Sequence, residues 1–288
     1  MSARSLRSKV IPRHRAFAIL FYAVMSVMAV PFLFPLWWMF TSSLKSSSEI
    51  FAFPPKLWPD NPSLQAYSDV FVMQPFARQY FNSLYIAILV TVGTLLISAL
   101  AGYGFARLRF PGQNVVFLIL ISALLLPNEV MIIPLFRMMQ SVGWVDTHLP
   151  LILIPMLGAQ AVFATFVMRQ YFLGFPAVLE EAGRLDGLGR FGVFGRIALP
   201  QARPVLSAVG ILTFLKSWDL FLEPLVFLST PELFTIPLAL TQFDDPFTGP
   251  VWDVRMAAAT LATLPILFAY VIAQRQFVQG IANVGIKG

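Results

Sequence analysis

Six stretches of this chain stay apolar for about 20 residues or more: 16–40, 81–105, 114–136, 150–172, 204–228 and 254–273. A helix rises about 1.5 Å per residue, so each could reach across the roughly 30 Å hydrocarbon core of a bilayer. Charged residues are only 12% of the chain, apolar residues 58%, and mean hydropathy is +0.75. A soluble domain carries about 25% charged residues. The sequence therefore predicts an all-α membrane protein with six transmembrane helices in one transmembrane domain, 1–288, surrounded by membrane lipid.

Basic residues set the orientation. Arg4, Arg7, Lys9, Arg13 and Arg15 precede the first run, Arg107 and Arg109 follow the second, and Arg169, Arg184, Arg190, Arg196 and Arg203 follow the fourth. With Arg275 and Lys287 in the tail, 14 of the 20 Lys and Arg fall on one side. The positive-inside rule places that side, and both termini, in the cytoplasm. The basic leader resembles the start of a signal peptide. No small-residue cleavage site follows, and the run ends in Pro31, Pro35, Trp37 and Trp38, so a retained span with an aromatic interface belt is expected.

Several function classes drop out. With no cysteine and only His14 and His148, far apart, there is no disulfide framework, no thiolate chemistry, no expected metal centre and no histidine-based catalytic pair. The net charge of +6 is spread between apolar runs in the positive-inside pattern, which argues against nucleic acid. Paired carboxylates, a metal set or a nucleophile with its base are missing, so no catalytic residues are assigned.

The third run is interrupted by Pro127, Asn128, Glu129 and Pro134. Broken backbone at membrane depth must be buried in protein or line an aqueous cavity, and an intramembrane Glu needs a reason to be there. Glu129 fits gating, solute contact or a buried structural pair. In the fifth run Lys216, Asp219 and Glu223 are spaced i, i+3, i+7, which on a continuous helix puts them on one face. They form either a cavity wall meeting solute hydroxyls, with Trp218 as an apolar platform, or an ion-pair ladder that fixes helix packing. Outside the spans, 41–80 reads as a proline-stiffened cap, and 229–253 as a turn-rich acidic loop holding Asp244 and Asp245.

Segment 175–200, FPAVLEEAGRLDGLGRFGVFGRIALP, is too short and too charged to span. Pro176 suits a first helical turn, and Glu180 and Glu181 lie near the N-terminus, where negative charge is favoured. Val178, Ala182 and Leu185 make an apolar stripe at i, i+4, i+7, and Asp186 with Gly187 ends the helix in a left-handed cap. A second amphipathic stretch, Arg190 to Leu199, stops at Pro200. Such a helix–bend–helix either anchors a loop at the membrane surface or docks a partner.

The same residues resemble the EAA loop of ATP-binding-cassette importer permeases: Glu-Ala-Ala, a Gly four residues after the last Ala, nine further residues, then Ile-x-Leu-Pro. Glu181, Ala182, Gly187, Ile197, Leu199 and Pro200 match it. Gly183 stands where the family has its second alanine, which is expected to loosen the helix packing. Ser43-Leu44-Lys45 with Pro54-Pro55, Arg109-Phe110-Pro111-Gly112, and Phe214, Trp218, Phe221 and Pro224 are also similar to the second permease of maltose-type carbohydrate importers. In the last run Asp219 replaces the family's usual Asn. The tail from Gln274 through Lys287-Gly288 continues the likeness, with a modest departure at Ile281–Ile286.

The resemblance implies an inner-membrane subunit of a binding-protein-dependent importer for a sugar, oligosaccharide or polyol. Its partners would be a second permease subunit, two copies of a cytoplasmic ATPase and an extracytoplasmic solute-binding protein facing Asp244 and Asp245. ATP and Mg would belong to the ATPase; this chain has no Gly-x4-Gly-Lys-Ser/Thr loop and needs no cofactor of its own. The coupling residues would be Glu181, Ala182, Gly183, Asp186, Gly187, Ile197, Leu199 and Pro200. The rival class is a secondary transporter or channel subunit with Glu129 as its ion site; no internal repeat supports it.

Overall fold

The computed structural model describes residues 13–247 and 249–285, of which 13–16, 128, 245 and 272–285 are described by backbone alone. The leader residues Arg4, Arg7 and Lys9, and the last residues of the tail, lie outside the described residues. The chain begins with α1 (Arg13–Ser42), a short α2 (Ser47–Ile50) and α3 (Gln65–Met73), followed by the long α4 (Phe76–Arg107). Next come α5 (Gln113–Ser122), α6 (Asn128–Ser141), α7 (Leu149–Leu157), α8 (Ala159–Leu173) and α9 (Ala177–Leu185). The later elements are α10 (Arg190–Val193), α11 (Leu199–Gln201), α12 (Arg203–Trp218), α13 (Leu222–Phe227) and α14 (Ile236–Ala239). A two-stranded antiparallel hairpin, β1 (Asp244–Asp245) with β2 (Gly249–Pro250), precedes α15 (Trp252–Gly285).

Four helical stretches, 17–42, 76–107, 149–173 and 252–271, are long and apolar enough to cross a membrane. The count reaches six if each of two bent pairs crosses once. Helix α4 is the axle of the bundle, with α7, α8 and α12 packed around it. Its crossing with α8 is close because Gly102 has no side chain: a β-carbon there would stand 2.6 Å from Met168 Cβ and 2.9 Å from the Arg169 amide nitrogen. Small residues at crossings are how membrane helices gain van der Waals contact without a hydrophobic driving force between them. By contrast the spanning part of α1 is unburied in the chain, presenting Phe17, Leu20, Val27 and Phe32 outward as a lipid-facing helix does.

The breaks have local causes. The single span expected at 114–136 is instead two pieces, 113–125 and 129–141, bent by 104°. Pro127 pushes Leu126 out of the helical region, to φ −85° and ψ 118°, and then caps α6. Pro134 sits inside α6 without ending it. Between α7 and α8 the extended Gly158 makes the joint; a β-carbon there would lie 2.6 Å from the Ile154 carbonyl oxygen.

The fifth span departs from expectation at both ends. Segment 190–201 meets 203–218 at 75°. Helix α12 then stops at Trp218, well short of 228. Pro224 explains the stop: in a continuous helix its ring would collide with the Leu220 carbonyl and leave that carbonyl unbonded. Breaking at 219–221 puts Pro224 in the first turn of α13, where its missing N–H costs nothing.

At the end of the bundle remote from α9, the 41–80 segment is ordered by polar ties. Lys45, buried, donates through Nζ to the Lys56 carbonyl (2.7 Å) and lies 4.1 Å over the Trp38 ring, and Ser47 bonds Asp253 (2.7 Å). There too, Asp146 adopts φ 58° and its carboxylate accepts from the Ser229 amide (2.9 Å), the Thr230 amide (3.0 Å) and the Thr230 hydroxyl (2.5 Å). These hydrogen bonds hold its carboxyl down at about 2. His148 spans Tyr85 and the Leu233 carbonyl, and burial pushes its imidazole below the ordinary value.

Candidate coupling surface and solute path

Helix α9 runs from Pro176 to a glycine stop. Gly187 has φ +83°, its amide donates to Arg184 O (3.0 Å), and the Leu188 amide donates back to Gly183 O (2.9 Å). That 5→2 and 6→1 pair is a Schellman cap, which satisfies the last carbonyls of a short helix. The expected stop at Asp186 and Gly187 is where the helix ends.

The two faces of α9 differ sharply. Val178 (72% exposed) and Leu185 (89% exposed) form the outward stripe with Ala182, and Glu181 is exposed beside them. On the opposite face Glu180 and Gly183 are buried. Gly183 does not loosen the packing, as expected from the missing alanine; it permits a close approach, with Ile197 Cδ1 2.3 Å from where a β-carbon would be. Ile197 belongs to a π-helical turn, Phe194–Ala198, between α10 and α11, closed by the Leu199 amide donating to Phe194 O. The expected amphipathic stretch from Arg190 to Leu199 is thus helical but underwound over 194–198. The cause is Pro200, which has no N–H to give to Arg196 O. Phe191, before that turn, is 85% exposed.

The solute-path candidates separate. Trp218 is 2% exposed, stacked on Phe214 at 6.0 Å and edge-on to Tyr80 at 5.6 Å, so its faces serve the core and no platform is open. Lys216 and Asp219 are exposed, whereas Glu223 is buried in the next helix. The break at 219–221 removes the shared helix face, and among the described residues these three charges make no ion pair with one another, so the ladder is not formed either. Glu129 is exposed in the first turn of α6, beside Asn128, whose side chain lies outside the described residues. Asp244 is held by Arg255 at 2.8 Å in the hairpin; the Asp245 side chain also lies outside the described residues.

Comparison with known proteins supplies the class of machine to which this geometry belongs. Residues 93–283, which include α9, the π turn and α12, match the family model described as "Binding-protein-dependent transport system inner membrane component". The chain belongs to that family. The arabinooligosaccharides transport system permease protein AraQ of Bacillus subtilis is 33% identical over 93% of this chain and 94% of its own length. The sulfoquinovosyl glycerol transport system permease protein SmoH of Agrobacterium fabrum is 33% identical over 91% and 92%. A crystal structure of a bacterial ABC transporter involved in importing the acidic polysaccharide alginate shares the fold, with a TM-score of 0.78 and 20% identity over 93% of this chain and 99% of that one. An inner-membrane permease explains at once the lipid-facing stretch 17–42 of α1 and the lack of charged residues within it.

Two features of this permease had no signal in sequence patterning. Glu180 pairs with Arg107, far away in the chain, and Asp146 ties down 229–230 from a loop without periodicity. The adjacent glutamates in 180–181 hinted that the two differ, since successive helical residues point about 100° apart.

Proposed function

We propose that this chain is the translocating subunit of an ATP-driven importer for a sugar, oligosaccharide or polyol, with both termini and α9 in the cytoplasm. A separate ATPase, present in two copies and holding ATP and Mg, docks on the 175–200 segment. Closure of the ATPase pair rotates the helices as rigid bodies and flips a cavity between outward- and inward-facing. The supporting observation is the outward face of α9: Val178, Ala182 and Leu185 exposed beside Glu181, on a helix too short to enter the membrane. An apolar stripe flanked by a carboxylate suits a groove with a basic rim.

A second permease subunit completes the cavity. Exposed Lys216, Asp219 and Glu129 are costly against lipid, so they face that subunit or the aqueous path between the two, and Asn128 adjoins Glu129 in sequence as a further candidate for that path. At the outer end the Asp244–Pro250 hairpin meets the solute-binding protein, with Asp244 and Asp245 at its first strand. The sugars and polysaccharide named for the relatives support the solute class.

Glu181→Lys tests the docking. It removes a charge-assisted contact of about 1.5–3 kcal/mol and sets a positive charge against the helix dipole, a further cost of about 0.3–1 kcal/mol. Affinity of the detergent-purified permease pair for the ATPase should fall by roughly tenfold or more, and solute uptake in proteoliposomes should fall with it. Unchanged affinity for the ATPase sinks the assignment.

A further inference from the structure

We propose that Glu180 and Arg107 form the mechanical link through which α9 moves α4, a role distinct from that of exposed Glu181. The inference rests on the reading of α9 as a docking helix and adds how its motion enters the bundle. Glu180 Oε1 lies 3.0 Å from Nε of Arg107, the last residue of α4. Glu180 is buried at 7% exposure and Arg107 is mostly covered at 16%, while Arg184, one turn on and 4.0 Å from Glu180, is largely in solvent.

Arg107 grips α9 at a second point. Its guanidinium donates to the Phe175 carbonyl, in the turn that leads into α9, and lies 5.9 Å from the centre of the Phe175 ring. One side chain therefore holds both the entry to α9 and its middle. At its other end Arg107 belongs to the helix against which α7, α8 and α12 pack, so a pull there reaches the centre of the bundle.

The pair is suited to transmitting motion. Separating the pair would leave the buried Glu180 carboxylate to the more distant, solvated Arg184 and Arg107 to the neutral Phe175 carbonyl, a poorer arrangement that keeps the two together as α9 shifts. Yet Arg107 Nε and Glu180 Oε1 are not aligned as a hydrogen bond, so the attraction constrains distance more than angle. A contact of that kind acts as a pivot. The remaining support of α9 comes from α10 and the π turn, which are themselves short and bent.

The test uses the complete complex in proteoliposomes, with the other subunits made cysteine-free; this chain has no cysteine of its own. In Glu180→Gln and in Arg107→Gln the ATPase should still co-purify, while solute moved per ATP hydrolysed should fall by roughly tenfold, as expected when a buried partner is lost. A double Glu180→Cys, Arg107→Cys protein should be equally uncoupled, and a flexible bifunctional thiol reagent joining the two positions should restore most of the ratio. Because a tether can also restore stability, coupling is read at a temperature where melts show both single variants folded, so that uncoupling there is not loss of the fold. Normal coupling in both single variants, uncoupling that the tether does not repair, or loss of the ATPase from Glu180→Gln would each overturn the proposal. Failure of the docking reading appears elsewhere, as unchanged ATPase affinity in Glu181→Lys.

Discussion

Gly183 lies so close to Ile197 that a β-carbon on the glycine would stand 2.3 Å from Ile197 Cδ1. The contact predicts an inversion of sign. Alone, Ile197→Val should cost about 0.5–1.5 kcal/mol, the usual effect of removing a buried methyl. Gly183→Ala gains about 1 kcal/mol of helix propensity and loses about 1–3 kcal/mol to overpacking. With the alanine in place, Ile197→Val removes the colliding methyl and should become stabilising. Thermal melts of the four proteins in detergent decide it; additive shifts would mean that the two residues do not press on each other.

Gly187 makes a separate prediction from backbone alone. Its φ of +83° is a conformation that β-branched residues resist, while asparagine tolerates it. Gly187→Val should release the cap, fray α9 and uncouple ATP hydrolysis from uptake, and Gly187→Asn should largely preserve coupling. A cysteine placed at 185 gives the local readout, since its spin label should gain mobility in the valine variant. Equal mobility in both variants would show that the cap does not hold the helix.

Much of this was legible because membrane burial writes itself into composition and because glycine and proline act locally. Apolar runs located the four helices long enough to span, Pro127 marked the break in the third run, and Gly187 marked the end of α9. The stop at Trp218 was also written, in Pro224, but the i, i+3, i+7 spacing of Lys216, Asp219 and Glu223 suggested a continuous helix. Periodicity describes a helix only where the backbone can form one. What could not be read was pairing between distant segments, as in Glu180 with Arg107 or Trp218 with Tyr80. Those contacts depend on how helices cross, and crossing at Gly102 is set by the absence of an atom.

The proposed orientation is open to direct labelling, helped by the absence of native cysteine. Single cysteines at 56 and 64, both exposed in the 41–80 segment, should react with a membrane-impermeant maleimide on intact cells. A cysteine at the highly exposed position 185 should react only after the membrane is opened. Labelling of 185 on intact cells would invert the topology and remove α9 from reach of any cytoplasmic ATPase.

Acid should loosen the end of the bundle remote from α9, and the groups responsible can be separated by pH. The imidazole of His148 is pushed below 6.5, chiefly by burial, so the unfolded chain takes up this proton before the folded one. Its contribution is therefore level above about pH 6.5, and stability is lost as pH falls below that value until the folded imidazole also titrates. Asp146 is displaced downward too, to about 2 from an ordinary 3.8, by its hydrogen bonds to Ser229 and Thr230. Its stabilising effect is fully present above about pH 4 and is lost as pH falls from there through about 2. Between about pH 5 and 7 the slope should thus come from His148 and not from Asp146. Melting temperature in detergent should decline across that window, and His148→Gln, which offers a donor to the Leu233 carbonyl without a titrating ring, should flatten the decline. Asp146→Asn should lower stability at pH 7 and, by removing a nearby negative charge that holds the imidazole up, should deepen rather than flatten the decline between 5 and 7. The hydrogen bonds of a charged carboxylate are worth about 1.5–3 kcal/mol, so its neutral replacement should show as a shift of the whole curve. A slope that survives in His148→Gln would mean that another group titrates in this window, and the buried imidazole would lose its place as the acid-sensitive contact.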